Sequence, residues 1–269
     1  MGNTVIVGTE GEPLSTRLQS LIKNKYSVTS VSKSVISSHL IDIASLANDI
    51  EASDPSKFIG YKEIKFGLQI ISEIIEWYMC GKLSLPTAIL ALEAISALAS
   101  VTLLSNKAIE SAAIQRLIES LKPAEIESFI GIVGIILRLF RSLHDDAHIA
   151  PLFLLLDKCG CLQKFFVFVT QSSVVNEPNM LCATIVILDL VHWALSSNHA
   201  TLIALRVRIK SIAFQHRDSL FELSRHPLIK LSYVTTILMI KLMSLEDKNT
   251  CMAIQVKSIF YMRFFLSMH

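Results

Sequence analysis

Residues 217–243 read RDSLFELSRHPLIKLSYVTTILMIKLM, two apolar runs joined by a His-Pro pair and almost free of groups that do chemistry. In the first run Leu220, Phe221 and Leu223 are spaced to turn inward from a short helix. Proline disfavours the α conformation in the residue before it, so the chain should turn at His226 and restart as a helix with Pro227 in its first turn. Along the second run Leu228, Leu231, Leu238 and Leu242 form a stripe that Ile229, Val234, Ile237 and Ile240 widen. Only Lys230 and Lys241 mark a wet edge, which predicts a helix enclosed by neighbours at the centre of a stack.

The same pattern extends outward. From Val35 the apolar spacing turns helical, with Leu40, Ile43, Leu46 and Ile50 at steps of three and four. From Tyr61, Ile64, Leu68, Ile71, Ile75 and Tyr78 share one stripe and Lys62, Lys65, Gln69, Glu73 and Glu76 another, as in a surface helix with one buried face. Gly81 should end that helix and Pro86 open the next, whose TAILALEAISALASVTLL is apolar nearly all round. Pro123, Pro151 and Pro178 each precede a further apolar segment, and Gly131 and Gly134 suit close approach of a neighbouring helix. FFVFV at 165–169 is the one short stretch with a strand-like look. The prolines at 86, 123, 151, 178 and 227 are 27 to 49 residues apart, near the length of a two- or three-helix unit but with no fixed period. The expected fold is all-α: a poorly ordered lead-in over 1–35, then an irregular armadillo- or HEAT-like α-solenoid of stacked helical hairpins over 36–269.

Composition agrees with extensive burial, since apolar residues make up 52% of the 269 and charged residues 18%. A bilayer-spanning helix needs roughly 20 mostly apolar residues. The longest stretch without Asp, Glu, Lys or Arg, Leu190 to Leu205, has sixteen and contains His192, Asn198 and His199. A membrane-spanning class is therefore the lesser alternative. The N-terminus has no basic region followed by an apolar run, so the expected location is cytoplasmic. A net charge of +2 gives no reason to expect nucleic acid as partner. Residues 201–269 are more basic, with ten Lys and Arg against four Asp and Glu, which allows at most a peripheral contact with an acidic lipid surface. Cys80, Cys159, Cys161, Cys182 and Cys251 are odd in number and scattered, so disulfides are not expected.

Chemical motifs are sparse. GKL at 81–83 lacks the glycine spacing and hydroxyl of a phosphate loop, and neither a nucleophile elbow nor an H-E-x-x-H occurs. No cofactor or catalytic residue is nominated, and the chain reads as non-enzymatic. His144 and His148, four apart around Asp145 and Asp146, could share a helix face and hold a metal. Their place before Pro151 suits an ordinary helix end better. Cys159 and Cys161 lack the spacer and second ligand pair of a zinc site. His192 falls on the stripe of Leu181, Ile185, Leu188 and Leu195, as a core histidine with one hydrogen-bond partner would. Trp77, Tyr78 and Trp193 could anchor a partner, although aromatic residues on apolar faces usually belong to the core.

The order Arg217, Leu220-Phe221, Leu223, His226-Pro227, Met239, Asp247-Lys248, Gln255 resembles a segment in the C-terminal helical-repeat part of the large endosomal DnaJ proteins of the receptor-mediated endocytosis type, DnaJ homolog subfamily C member thirteen. The likeness covers residues 217–259. It departs where that family has a Gly-Ala-Gly motif and this chain has Val234-Thr235-Thr236. The family's co-chaperone activity belongs to a J domain with an HPD loop, whereas the His-Pro here is followed by Leu228, so any link to Hsp70 is indirect. The resemblance implies a scaffold on the cytosolic face of early endosomes that binds sorting and coat factors.

Overall fold

The computed structural model describes residues 37, 40, 41, 43–45, 61–81, 83–100, 107–143, 146–174 and 177–244. The expected lead-in over 1–35, His144, Cys251 and the Asp247-Lys248 and Gln255 words all lie outside these residues. Among those described the regular structure is helical and there is no strand, so the chain is all-α. FFVFV is helical, a correction to its strand-like reading: Phe165, Phe166, Phe168 and Val169 are buried together, the clustering of a helix face and not the alternation of a strand.

The chain divides into two compact units, residues 1–161 and 162–269. In the first, α1 (Tyr61–Met79) packs on α2 (Leu85–Ser100) and on α3 (Ala112–Glu119), and α2 also packs on α4 (Ile126–Ser142). Helix α1 buries Ile70, Ile71, Ile74 and Ile75 while Lys65 and Glu76 stay in water, the one-sided burial that its sequence predicts. It ends at Gly81, whose φ of +66° is open to glycine at no steric cost. Helix α2 begins with Pro86 in its first turn and buries Ala91, Leu92, Ala94, Ile95, Ala97, Leu98 and Ala99, as befits a helix lying between α1 and α4.

Gly131 of α4 faces the Leu92 side chain of α2. A Cβ added there would stand 2.5 Å from Leu92 Cδ1, far inside van der Waals contact, whereas one at Gly134 would meet nothing within 4 Å. The paired-glycine expectation thus holds for Gly131 alone. Ser111 caps α3, its Oγ accepting from the Ala113 N–H at 3.3 Å. Pro151 does not precede its helix: α5 (Asp146–Lys158) starts five residues earlier and carries the proline inside. Phe153 of α5 meets Phe140 of α4 edge to face, with ring centroids 6.1 Å apart. Gly160, at φ +67°, then turns the chain into α6 (Cys161–Val174).

In the second unit α7 (Pro178–Ser196) is the packing centre, touching both α8 (Ile203–Gln215) and α10 (Ile229–Ser244), while α9 (Arg217–Ser224) packs on α10. Helix α7 starts as its proline predicts. Pro178 occupies the first turn and the Glu177 carboxylate accepts from the N–H groups of Asn179 and Met180 at 3.1 and 2.8 Å. Helices α6 and α7 are joined by a buried polar relay: the Thr184 hydroxyl donates to Ser172 Oγ at 2.8 Å, and Ser172 donates to the Phe168 carbonyl at 3.0 Å. With both hydroxyl protons placed, neither group carries the penalty of an unpaired buried donor.

The hairpin of 217–243 forms, with two amendments. Helix α10 starts at Ile229, after the His-Pro turn and not within it, and His226 closes that turn: its Nδ1 accepts the Leu228 N–H at 3.1 Å. Helix α10 is also not enclosed. Leu231, Val234, Thr235 and Leu238 are buried on one side, while on the other Ile229 is 84% and Tyr233 64% exposed. Phe221 is half-buried, with the Arg225 guanidinium 4.1 Å above its ring centroid.

Candidate functional site

The described residues singled out for chemistry do not converge. His148 is exposed on α5, and the described residues contain no group of three or more His, Cys, Asp and Glu placed to hold a metal ion. The thiol of buried Cys161 is turned to the Ile118 carbonyl at 3.6 Å, and that of half-exposed Cys159 to the Glu119 carboxylate at 3.8 Å. Exposed Cys80 lies in the turn after α1 and exposed Cys182 on α7. His192 is half-buried and meets Ser196 of its own helix at 3.4 Å, while its stripe-mates Leu181, Ile185, Leu188 and Leu195 are buried. Trp77, Tyr78 and Trp193 are half-buried.

The most organised polar site is one that spacing does not announce, the junction between α8 and α9 at His216. Its imidazole lies against α6, stacked on Phe166 with centroids 5.8 Å apart and planes 23° from parallel. Thr170 Oγ1 is 2.8 Å from Nδ1, and the Thr170 hydroxyl also reaches the Phe166 carbonyl at 3.0 Å. A hydroxyl has one proton. Given to the carbonyl, it leaves the Thr170 oxygen to accept from Nδ1–H, so Nε2 keeps its lone pair and accepts from the Gln163 amide at 3.4 Å. The neutral ring is therefore the one this setting suits, and burial holds the His216 pKa below its ordinary value of 6.5. The sequence signal was slight: Gln163, Phe166 and Thr170 lie at helical spacing, but their distance along the chain from His216 hides the pairing.

The remaining candidates are surfaces. Ile229, Tyr233 and Ile240 fall within about 40° of one line along α10, opposite its buried side. Ile203, Val207 and Phe214 do the same along α8, opposite the buried Leu205, Ile209 and Ala213. Family models, curated proteins and solved structures give no match to this chain. The site must be read from its own chemistry.

One helix bears on the membrane alternative. Pro178–Ser196, with a mean hydropathy of 1.6, is long and apolar enough to cross a bilayer, although 61% of its apolar window is buried within the protein. Asp189 lies inside this helix, which is why the uncharged stretch in the sequence begins only at Leu190, and its carboxylate would be costly at the centre of a bilayer.

Proposed function

We propose that the chain is a non-enzymatic α-solenoid, armadillo- or HEAT-like in its stacking, that binds other proteins in endosomal membrane traffic on the cytoplasmic side. The observation that carries the binding role is the double-faced helix α10: one side seals against α7 and α9, and the other presents Ile229, Tyr233 and Ile240 to solvent. An apolar stripe of that length on a helix is the kind of surface that a partner's helix or a neighbouring repeat covers. The endosomal assignment draws on the words shared with the DnaJ proteins of the receptor-mediated endocytosis type over residues 217–259.

Proximity labelling from the tagged chain in cells tests both parts. Enrichment of endosomal sorting and clathrin-coat components, reduced by Ile229→Ser with Tyr233→Ser, is the expected result. Enrichment of other cytosolic assemblies by the same face would move the protein to an adaptor role elsewhere. A membrane-embedded protein is the second reading, favoured by the length and hydropathy of α7. Retention in the lipid fraction after alkaline carbonate washing would establish it.

A further inference from the structure

Residues 206–212, within α8, read RVRIKSI. Arg206 and Arg208 are the one pair among the chain's nine arginines that stand two apart, and Ser211 follows them by five and three residues. In an extended chain, residues two apart point to the same side, so both guanidinium groups would meet one acidic groove. The hydroxyl three residues on would point away from that groove, toward a nucleotide held opposite. Protein kinases that select arginine ahead of a serine read a charge pattern of this kind. No Asp or Glu occurs between Asp189 and Asp218 to repel such a groove.

The fold makes Ser211 reachable. Its side chain is exposed, and among the described residues its hydroxyl makes no hydrogen bond. Other helical hydroxyls, those of Ser72, Thr170, Ser172 and Thr235, are tied to the carbonyl four residues back. A kinase takes its substrate extended, so α8 must open over 206–212, and in that stretch Ile209 alone is buried. Opening releases the contacts that Arg208 and Lys210 hold in the closed helix. It also frees Arg206, whose Nε and Nη2 are shut from solvent without a hydrogen-bond partner among the described residues, and lets both donors be satisfied. Few buried side chains and two orphaned donors mark a segment that opens locally at low cost.

We propose that Ser211 is a phosphorylation site for an arginine-directed protein serine kinase, reached by local opening of α8. The γ-phosphoryl group of ATP passes to Ser211 Oγ, its bond to the β-phosphate oxygen breaks to leave ADP, and the hydroxyl proton goes to the kinase's catalytic aspartate. On the closed helix the phosphate stands four residues from Val207 and three from Phe214, which puts a charge of roughly −2 into the exposed apolar stripe of α8. The site does not depend on which proteins α10 binds, so failure of the endosomal reading leaves it standing.

Incubation of the full chain and of a peptide spanning residues 204–215 with a purified kinase of this class and magnesium ATP tests the proposal. Mass spectrometry should place the phosphate on Ser211 in both. Arg206→Gln and Arg208→Gln should each lower kcat/KM about tenfold in chain and peptide alike. Ala213→Gly lies outside the arginine pattern and weakens the helix, so it should speed phosphorylation of the chain about fivefold and leave the peptide unchanged. Circular dichroism should show that each variant chain keeps its helix content. A peptide that is modified while the chain is not overturns the proposal, since α8 then stays shut. So do phosphate on other residues only, a rate indifferent to the two arginines, and an Ala213→Gly chain no faster than the wild type.

Discussion

At the scale of single residues, His216 gives the chain a pH dependence whose sign is set. Its folded-state pKa is lowered by burial, so between the ordinary value of 6.5 and the lower folded value the unfolded chain binds a proton that the folded chain does not. Stability should therefore be lost as pH falls below about 6.5 and be unaffected by this group above it. Chemical denaturation of the wild type and His216→Gln across that range checks this: the gap between the two should narrow on acidification. A gap that widens would mean that the ring is held protonated against Thr170. The two glycines of α4 make a second residue-scale test. Alanine at Gly134 meets open space and should stabilise by up to about 1 kcal/mol through helix propensity. At Gly131 the new methyl must displace the buried Leu92 side chain, and overpacking of about 1–3 kcal/mol should cancel that gain or reverse it. Thermal melts should rank Gly134→Ala above Gly131→Ala.

At the scale of elements, the helices were legible because burial follows spacing. Ile71 and Ile75 of α1, and Leu231 and Leu238 of α10, are buried where their stripes place them. What spacing does not contain is the number of sides a helix has covered. A run such as that of α10, apolar all round, looks the same whether neighbours enclose it or half of it faces water, which is why Ile229 and Ile240 were placed inward and stand outside. Pro151 was misjudged for a similar reason. Proline is favoured at a helix start, and inside a helix it loses its own N–H bond and crowds the carbonyl four residues back at a cost of about 3 kcal/mol, which the burial of Leu152, Phe153 and Leu156 offsets in α5. The α10 faces predict unequal responses: Leu238→Ala should destabilise by about 2–5 kcal/mol and Ile240→Ala by about 0.5 kcal/mol or less, measured by urea unfolding. The relay between α6 and α7 is testable as a pair. Ser172→Ala strands the buried Thr184 hydroxyl and should cost about 1–3 kcal/mol, while adding Thr184→Val should restore part of that loss.

At the scale of the whole molecule, the exposed faces were less readable than the fold, because a surface is defined by which faces remain after packing. The His216 junction shows the limit sharply: four residues from α6 and the α8–α9 link meet only when the helices are in place, and none of their spacings marks them. Packing also makes the chain's stability uneven. In the second unit α7 touches both α8 and α10 and buries eleven of its residues, whereas α9 has eight residues and buries Leu220 and Leu223. Amide exchange is slowest where opening must break the most buried contacts. Native-state hydrogen exchange in detergent-free buffer should thus find α7 among the last segments of residues 162–244 to exchange and α9 among the first. The same experiment separates the two environments open to an apolar helix of this length. If α7 is held by its neighbours, Leu238→Ala on α10 should speed its exchange. If lipid or detergent holds it, its protection should follow the amphiphile and ignore that substitution.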